Sequence, residues 1–346
     1  MTTIPQSIRS LFKSFPIATY PPVTSESGQA FHHRQFTLQP KSSQRNPDND
    51  HFSLGVYGLF ESSNGFILAT DPECLFSQLQ LCHRNDLKIP TISASCDSSD
   101  ETSHKIMILS YQASKDSQLP ILIENSESLG NGSRAKQSSN RTVRSSFALH
   151  ELALSKITNR STYLISHWAD QVLYDIWTFT LLTELDASQL LNLYSSPTIS
   201  PASPIVKTDQ YYTSNAVSPI HTLVLKDLLV HLLSRYQFRS RYPTIAENFH
   251  NYLPNFVVIQ GKPAALGSEI EKIFEDFISL LHHLQELGIG SQSILEDDED
   301  KRIIELKIAS YLICIKQFMQ GTKVYAIVEE GYPELFTWCD LVLQDC

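Results

Sequence analysis

The sequence has no long run of apolar residues. Its most apolar short stretches include NFVVIQ at 255–260 and YLICI at 311–315, which are far shorter than the roughly 20 residues that a membrane-spanning helix needs. The N-terminal segment MTTIPQSIRSLFKSFPIATYPP has neither the continuous apolar core nor the small-residue cleavage site of a secretory signal. The sequence therefore predicts a chain that does not cross a membrane by itself and is not secreted.

Cysteine is scarce, and its spacing fits no metal site. No CxxC pair occurs among the six, which are Cys74, Cys82, Cys96, Cys314, Cys339 and Cys346. We expect reduced thiols in a cytosolic setting. The pairs His32-His33 and His282-His283 are poor joint ligands, because adjacent residues on a helix point about 100 degrees apart. We therefore predict no metal and no other cofactor.

Positive charge is also in short supply, since 27 Lys and Arg face 37 Asp and Glu and leave a net charge of −10. Nucleic acid is excluded as a general partner, because binding it usually needs a basic face. One basic and aromatic cluster exists, made of Arg235, Tyr236, Phe238, Arg239, Arg241 and Tyr242. A helix end whose long side chains cover apolar surface is the simpler interpretation. Contact with RNA, anionic headgroups or an acidic partner stays open.

The stretch from residue 54 to residue 90 predicts a strand, a loop and a capped helix. A short apolar run, LGVYGLF, is closed by the polar turn sequence ESSNG. Asp71 is then placed to cap a helix, Pro72 suits its first position, and Glu73 faces the positive end of the helix dipole. The stretch therefore predicts a β–α unit.

Residues 1–51 predict a docking segment followed by an irregular lead-in. Pro, Ser, Gln and Asn are frequent from residue 17 onward, which is typical of chain without a packed core. Before Pro16, apolar residues recur with little polar company at Ile8, Leu11, Phe12 and Phe15. These four are partner-binding candidates, and whether they occupy a groove of a partner or pack on the chain's own core is left open.

Residues 52–157 predict a small mixed sheet with helices packed on it. After the β–α unit, further strands are predicted at 89–94, 105–111 and 119–125. A segment rich in Ser, Gly and Asn at 126–142 predicts an insertion, and Ser145 or Ser146 is placed to cap the next helix.

Residues 158–346 change to a helical period throughout. Helices are predicted at 161–194, 221–236, 269–287, 301–318 and 333–343. The helix at 301–318 is apolar on most sides, which predicts a central position. The acidic run from Glu296 to Asp300 favours that helix's dipole, with attraction of a basic partner as the alternative.

This order, together with particular sequence blocks, resembles the metaxin family. The blocks are LGVYGLF, ATDPECLFSQLQLC, VLYDIW at 172–177 and ELKIASYLICI at 305–315. The resemblance covers nearly the whole chain and implies a glutathione-transferase-like fold, with a thioredoxin-like domain followed by an all-helical domain. The family-motif residues, which we interpret as structural, are Gly55, Tyr57, Asp71, Pro72, Pro120 and Ser146.

The resemblance also implies a function. Within the family the match is nearest to fungal subunits of the mitochondrial sorting and assembly machinery, the SAM complex. Such a chain is expected as a peripheral protein on the cytosolic face of the mitochondrial outer membrane. Its implied partners are the β-barrel subunit of the SAM complex, a second metaxin-like subunit, and β-barrel precursors whose β-signal it recognises. A purely structural cap of the barrel subunit is the alternative.

A glutathione-transferase-like enzyme is the remaining alternative, because the parent fold is mostly catalytic. Ser62, Ser63, Thr70 and Cys74 are candidates near the first helix, where a helix N-terminus lowers a thiol pKa. The second requirement is an acid-Ser pair, and Ser145 stands where the acid is expected. We therefore predict no catalytic residue and no enzyme.

Overall fold

The computed structural model describes residues 35–41, 51–91, 103–126, 140–185, 187–194, 228–250, 264–289 and 298–346. The predicted docking residues Ile8, Leu11, Phe12 and Phe15 lie outside these ranges, as does most of the predicted insertion. Both remain predictions.

Five strands make the main sheet. They are β1 (Gln35–Thr37), β3 (His51–Val56), β7 (Lys105–Ile108), β8 (Ile121–Ser126) and β9 (Asn140–Arg144). Their spatial order is β1-β7-β3-β8-β9. β7 runs parallel to β3, and the other neighbouring pairs are antiparallel. The strands predicted in the 105–111 and 119–125 regions are confirmed.

Two short strand pairs flank the main sheet. β2 (Gln39–Pro40) pairs with β6 (Leu87–Lys88), and β4 (Leu59–Glu61) pairs with β5 (Ile67–Ala69). The strand predicted to start at Ile89 is wrong in its first half, where only an isolated bridge from Thr91 to Phe66 forms. Pro90 has no backbone N–H to donate to a strand ladder, which accounts for the break.

β1 corrects the prediction of an irregular lead-in up to residue 51. Phe36 and Leu38 are buried on either side of Thr37, so the short segment alternates as a half-buried strand does. Its pairing with β7 places it in the main sheet. Composition concealed this strand, because two apolar residues among Gln and Thr leave little periodic signal.

Helix α1 (Pro72–Arg84) begins as the sequence predicts. The Asp71 side chain accepts hydrogen bonds from the N–H groups of Glu73 and Cys74, at 3.1 and 3.2 Å. Pro72 occupies the first turn, where its missing N–H costs nothing. Leu75 and Leu79 are fully buried beneath the helix. The β–α unit is therefore confirmed as capped and core-forming.

One helix, α2 (Ser146–Leu154), follows the last strand of the main sheet. The second part of the chain is mostly helical where the structure describes it, with α3 (Arg160–Thr183), α4 (Ala187–Tyr194), α5 (228–234), α6 (Phe238–Arg241), α7 (Pro243–His250), α8 (Ala264–Glu286), α9 (Glu299–Phe318), α10 (Lys323–Gly331) and α11 (Pro333–Asp345). The mixed first part and helical second part confirm the coarse fold class. Among the described residues, no helix combines the length and apolarity needed to cross a membrane.

A sharp break ends α5. Tyr236 and Gln237 have φ values of 48 and 57 degrees, in the left-handed region that residues other than glycine rarely adopt. The sequence predicts a helix through residue 236 and misses this break. Arg235, next to this break, lies in the interior and is only 8% exposed.

Helix α9 lies at the centre of the helical part, as its composition predicts. Ile308, Tyr311, Leu312 and Cys314 are fully buried. Asp298 caps the helix, and the first turn carries Glu299 and Asp300, which agrees with the dipole interpretation for these three residues; Glu296 and Asp297 lie outside the described residues.

Asp300 also ties α9 to the start of α3. Its carboxylate accepts hydrogen bonds from the backbone N–H groups of Thr158 and Asn159, at 2.9 and 2.7 Å, and from the Thr158 hydroxyl at 3.0 Å. These bonds lower the pKa of Asp300. Asp300 therefore holds the start of α9 against the start of α3.

We predict that Asp300→Ala lowers the free energy of unfolding by about 1–3 kcal/mol, because two backbone donors lose their acceptor. Glu299→Ala, one residue earlier in the same turn, is the matched control. Urea denaturation at neutral pH measures both. Equal stability of the two variants would contradict the role of Asp300.

Candidate functional site

The family-motif residues surround the junction between sheet and helical part. Tyr57 follows β3, and its hydroxyl accepts a hydrogen bond from the Leu119 N–H at 3.1 Å. The Leu119–Pro120 peptide bond is cis, which the sequence alone does not determine. Gly55 lies in β3, where an added Cβ would come within 2.5 Å of Leu109 Cδ1. A larger residue at position 55 therefore requires the Leu109 side chain to move.

Arg235 fills the space next to Ser146. Its guanidinium donates to the Leu119 carbonyl at 3.1 Å and to the Ser146 hydroxyl, and it lies 6.0 Å from the centre of the Tyr174 ring. Arg stays charged in proteins, so a positive charge from the helical part sits against α2 and the cis-proline. Ser146 and the Leu119 carbonyl are thereby engaged within the chain.

The start of α1 is covered by α3 and α4. The Tyr194 hydroxyl donates to Asp71 Oδ2 at 2.9 Å and accepts from Trp177 Nε1 at 3.0 Å. Thr70 donates to the Leu193 carbonyl at 2.7 Å. Burial raises the pKa of Asp71, and the nearby Arg235 charge partly offsets that rise. Asp71 therefore has two roles: it caps α1, and through Tyr194 it connects α1 to the helical part of the chain.

Lys307 forms the centre of a buried ion cluster. Only 2% of its side chain is exposed, and its Nζ lies 2.7 Å from Glu73 Oε1 and 3.0 Å from Asp170 Oδ1. Tyr311 donates to Glu73 at 2.7 Å, and His150 Nε2 lies 2.8 Å from Asp170 Oδ2. The cluster connects α1, α2, α3 and α9.

The pKa values follow from this arrangement. Burial alone raises the pKa of Glu73, but the charges of Lys307 and Arg235 outweigh it and hold that pKa at about 2. For Lys307, burial lowers the pKa, whereas Asp170 and Glu73 raise it by more. Both groups are therefore ionised at neutral pH, and the cluster is a buried salt bridge.

Of the candidate groups for glutathione chemistry, Cys74, Thr70 and Ser62 are buried or hydrogen-bonded within the chain. Cys74 is completely buried, and burial followed by the Asp71 charge raises its thiol pKa. The expectation that the helix start lowers this pKa is wrong, because desolvation dominates. Ser62 accepts from the Phe66 N–H in the first loop at 3.1 Å. Ser63 is exposed.

Two arginines of the basic and aromatic cluster, Arg235 and Arg241, make contacts in the interior. Arg241 forms a two-point ion pair with Asp175, and Tyr242 donates to the same carboxylate at 3.0 Å. Arg235 is buried, and Arg239 is the exposed arginine of the three. The surface interpretation is therefore wrong for Arg235 and Arg241. Each has found an interior partner that the local sequence does not reveal.

The histidine pair in α8 shows no metal-site geometry. The His282 ring packs against Tyr332, and His283 Nδ1 lies 3.5 Å from Glu286. Within the ranges that the structure describes, no three His, Cys, Asp or Glu side chains come together as ligands. His32 and His33 lie outside those ranges.

The sequence does not reveal the buried polar contacts of Lys307, Arg235 and Asp170. A signal existed for Lys307, because a lysine in the middle of ELKIASYLICI must be paired when that helix is buried on all sides. Its partners lie 234 and 137 residues away, so local spacing does not identify them.

We predict that Lys307→Met lowers the free energy of unfolding by about 3–5 kcal/mol near neutral pH, because Glu73 and Asp170 lose their buried counter-charge. In the wild type, the depressed Glu73 pKa adds stability above about pH 4.5 that is lost as pH falls toward 2. In the variant the sign reverses, since burial without Lys307 favours the protonated acid. Stability of Lys307→Met should therefore rise on acidification from about pH 7 to about pH 5.

Lys316→Met is the control, because Lys316 pairs with Asp340 at the surface. Urea denaturation at both pH values measures all three proteins. A variant at position 307 that matches this control, or that loses stability on acidification, would contradict the buried ion cluster.

Comparison with known proteins finds two similarities. A family model described as "SAM35, subunit of SAM complex" matches residues 2–124. The Sorting assembly machinery 35 kDa subunit of Saccharomyces cerevisiae is 28% identical over 351 aligned positions, which cover 99% of this chain and 98% of that protein. The similarity includes both the sheet and the helical part. Along nearly its whole length, the chain is therefore similar to the 35 kDa subunit of the sorting assembly machinery, which confirms the resemblance to fungal subunits of that machinery.

Proposed function

We propose that this chain is a non-catalytic subunit of the SAM complex of the mitochondrial outer membrane, where it recognises the β-signal of β-barrel precursors and supports their insertion. The observation that carries the proposal is the similarity to a sorting assembly machinery subunit over 99% of the chain. Similarity along both parts of the chain supports a shared role of the whole molecule, rather than of one shared module.

The closed interior supports the absence of catalysis. Arg235 donates a hydrogen bond to the Ser146 hydroxyl, and Cys74 is buried with a raised thiol pKa. A thiolate-stabilising enzyme needs an accessible polar group at this helix start. We propose that the molecule keeps a glutathione-transferase-like fold, with a thioredoxin-like first domain, and has lost the glutathione site.

A peripheral location on the cytosolic face is part of the same proposal. The described helices include none suited to crossing a bilayer, and membrane association then comes from protein partners. These partners are the β-barrel subunit of the SAM complex and a second metaxin-like subunit. Extended precursor segments are bound transiently, through a strand edge or groove of the α/β part.

We predict that the purified chain binds a synthetic β-signal peptide and does not bind a scrambled peptide of the same composition. Fluorescence anisotropy of labelled peptides measures the difference. Equal affinity for the two peptides would favour a purely structural cap of the barrel subunit and contradict the receptor role.

Co-purification with the solubilised barrel subunit, and release of this chain from membranes at alkaline pH, test its peripheral attachment.

We also predict that the chain is not retained on immobilised glutathione and does not conjugate glutathione to an electrophile, because Arg235 occupies the polar groups beside Pro120. Ser146→Ala should leave both results unchanged. Retention that disappears in Ser146→Ala would revive the enzyme alternative.

A further inference from the structure

β9 is an edge strand of the main sheet. It pairs with β8 in a continuous register, from Leu122 opposite Arg144 to Ser126 opposite Asn140. On its other side, the part of the chain that the structure describes supplies no strand. An unpaired edge presents backbone N–H and C=O groups to which another extended segment can add.

The two faces of this edge differ in chemistry. On one face, Val143 is 63% exposed and stands opposite the half-buried Ile123. On the other face, Thr142 and Arg144 both donate to Glu124, at 3.2 and 2.9 Å. Arg141, opposite Asn125, shares the face of Val143, so this face presents one apolar and one charged side chain, whereas the exposed groups of the other face are polar.

Further exposed groups surround the strand. Phe147, three residues beyond its end, is 70% exposed and is the most exposed large apolar side chain that the structure describes. Arg141 is exposed as well, in a chain whose net charge is −10. β9 contains no proline, which would block strand addition at an edge, and its two charged residues are Arg141 and Arg144.

We propose that β9 binds an extended segment of a β-barrel precursor as an added strand. Strands of outer-membrane barrels alternate between an apolar, lipid-facing side and a polar, lumen-facing side. The apolar side of such a segment packs beside Val143, and its polar side lies beside Thr142 and Arg144. This inference rests on the proposed function and assigns the binding site to one strand edge.

The test uses the full-length chain and a fluorescent peptide with the sequence of the last strand of an outer-membrane β-barrel protein. Val143→Glu places a negative charge at the apolar contact and should weaken binding by about tenfold or more. Leu164→Glu is the matched control, because Leu164 is 59% exposed on α3, and it should stay within about twofold of wild type.

A second measurement does not depend on how well Val143→Glu folds. The photo-reactive amino acid p-benzoyl-phenylalanine replaces Phe147 in one protein and Leu164 in another. Crosslinking of the peptide from position 147 and not from position 164 supports the site. Selective peptide binding that is unchanged in Val143→Glu, without crosslinking from position 147, overturns the β9 site and leaves the receptor role intact. Failure to prefer the native peptide over its scrambled form contradicts the receptor role itself.

Discussion

The contact on which the rest of the structure depends is the ion cluster of Lys307 with Glu73 and Asp170. Charges are expensive to bury, and they persist inside a protein only when each finds its counter-charge. Glu73 belongs to the first turn of α1, whereas Lys307 lies in the centre of α9. All three charges are therefore paired only when the two parts of the chain are docked. The ion pairs fix the relative position of the two parts more specifically than apolar contacts alone would.

Arg235 is a second buried charge that connects the helical part of the chain to the first part. The break after α5 directs it at the Leu119 carbonyl and the Ser146 hydroxyl. These hydrogen bonds join the helical part of the chain to α2 and to the residue before Pro120. The precursor-binding site that we propose lies elsewhere, at the β9 edge.

Local structure could largely be predicted from the sequence, and tertiary contacts could not. Asp71 and Pro72 identify the start of α1 because capping depends on residues within one turn. The helix at 301–318 is similarly evident from its apolar residues. Arg235 and Arg241 show the limit, since their position in a basic and aromatic cluster indicates a surface, whereas the structure buries one and pairs the other with Asp175. β1 was concealed for a related reason, because its identity as a strand depends on pairing with β7.

A double-mutant cycle on Lys307→Met and Glu73→Gln tests the central claim most directly, because it isolates the contact that joins α1 to α9. The free energy of unfolding is measured for the wild type, both single variants and the double variant. Our account predicts a coupling energy of at least about 2 kcal/mol, with the double variant more stable than the sum of the single losses implies. A coupling below about 0.5 kcal/mol would mean that the two residues act independently, and it would contradict the account.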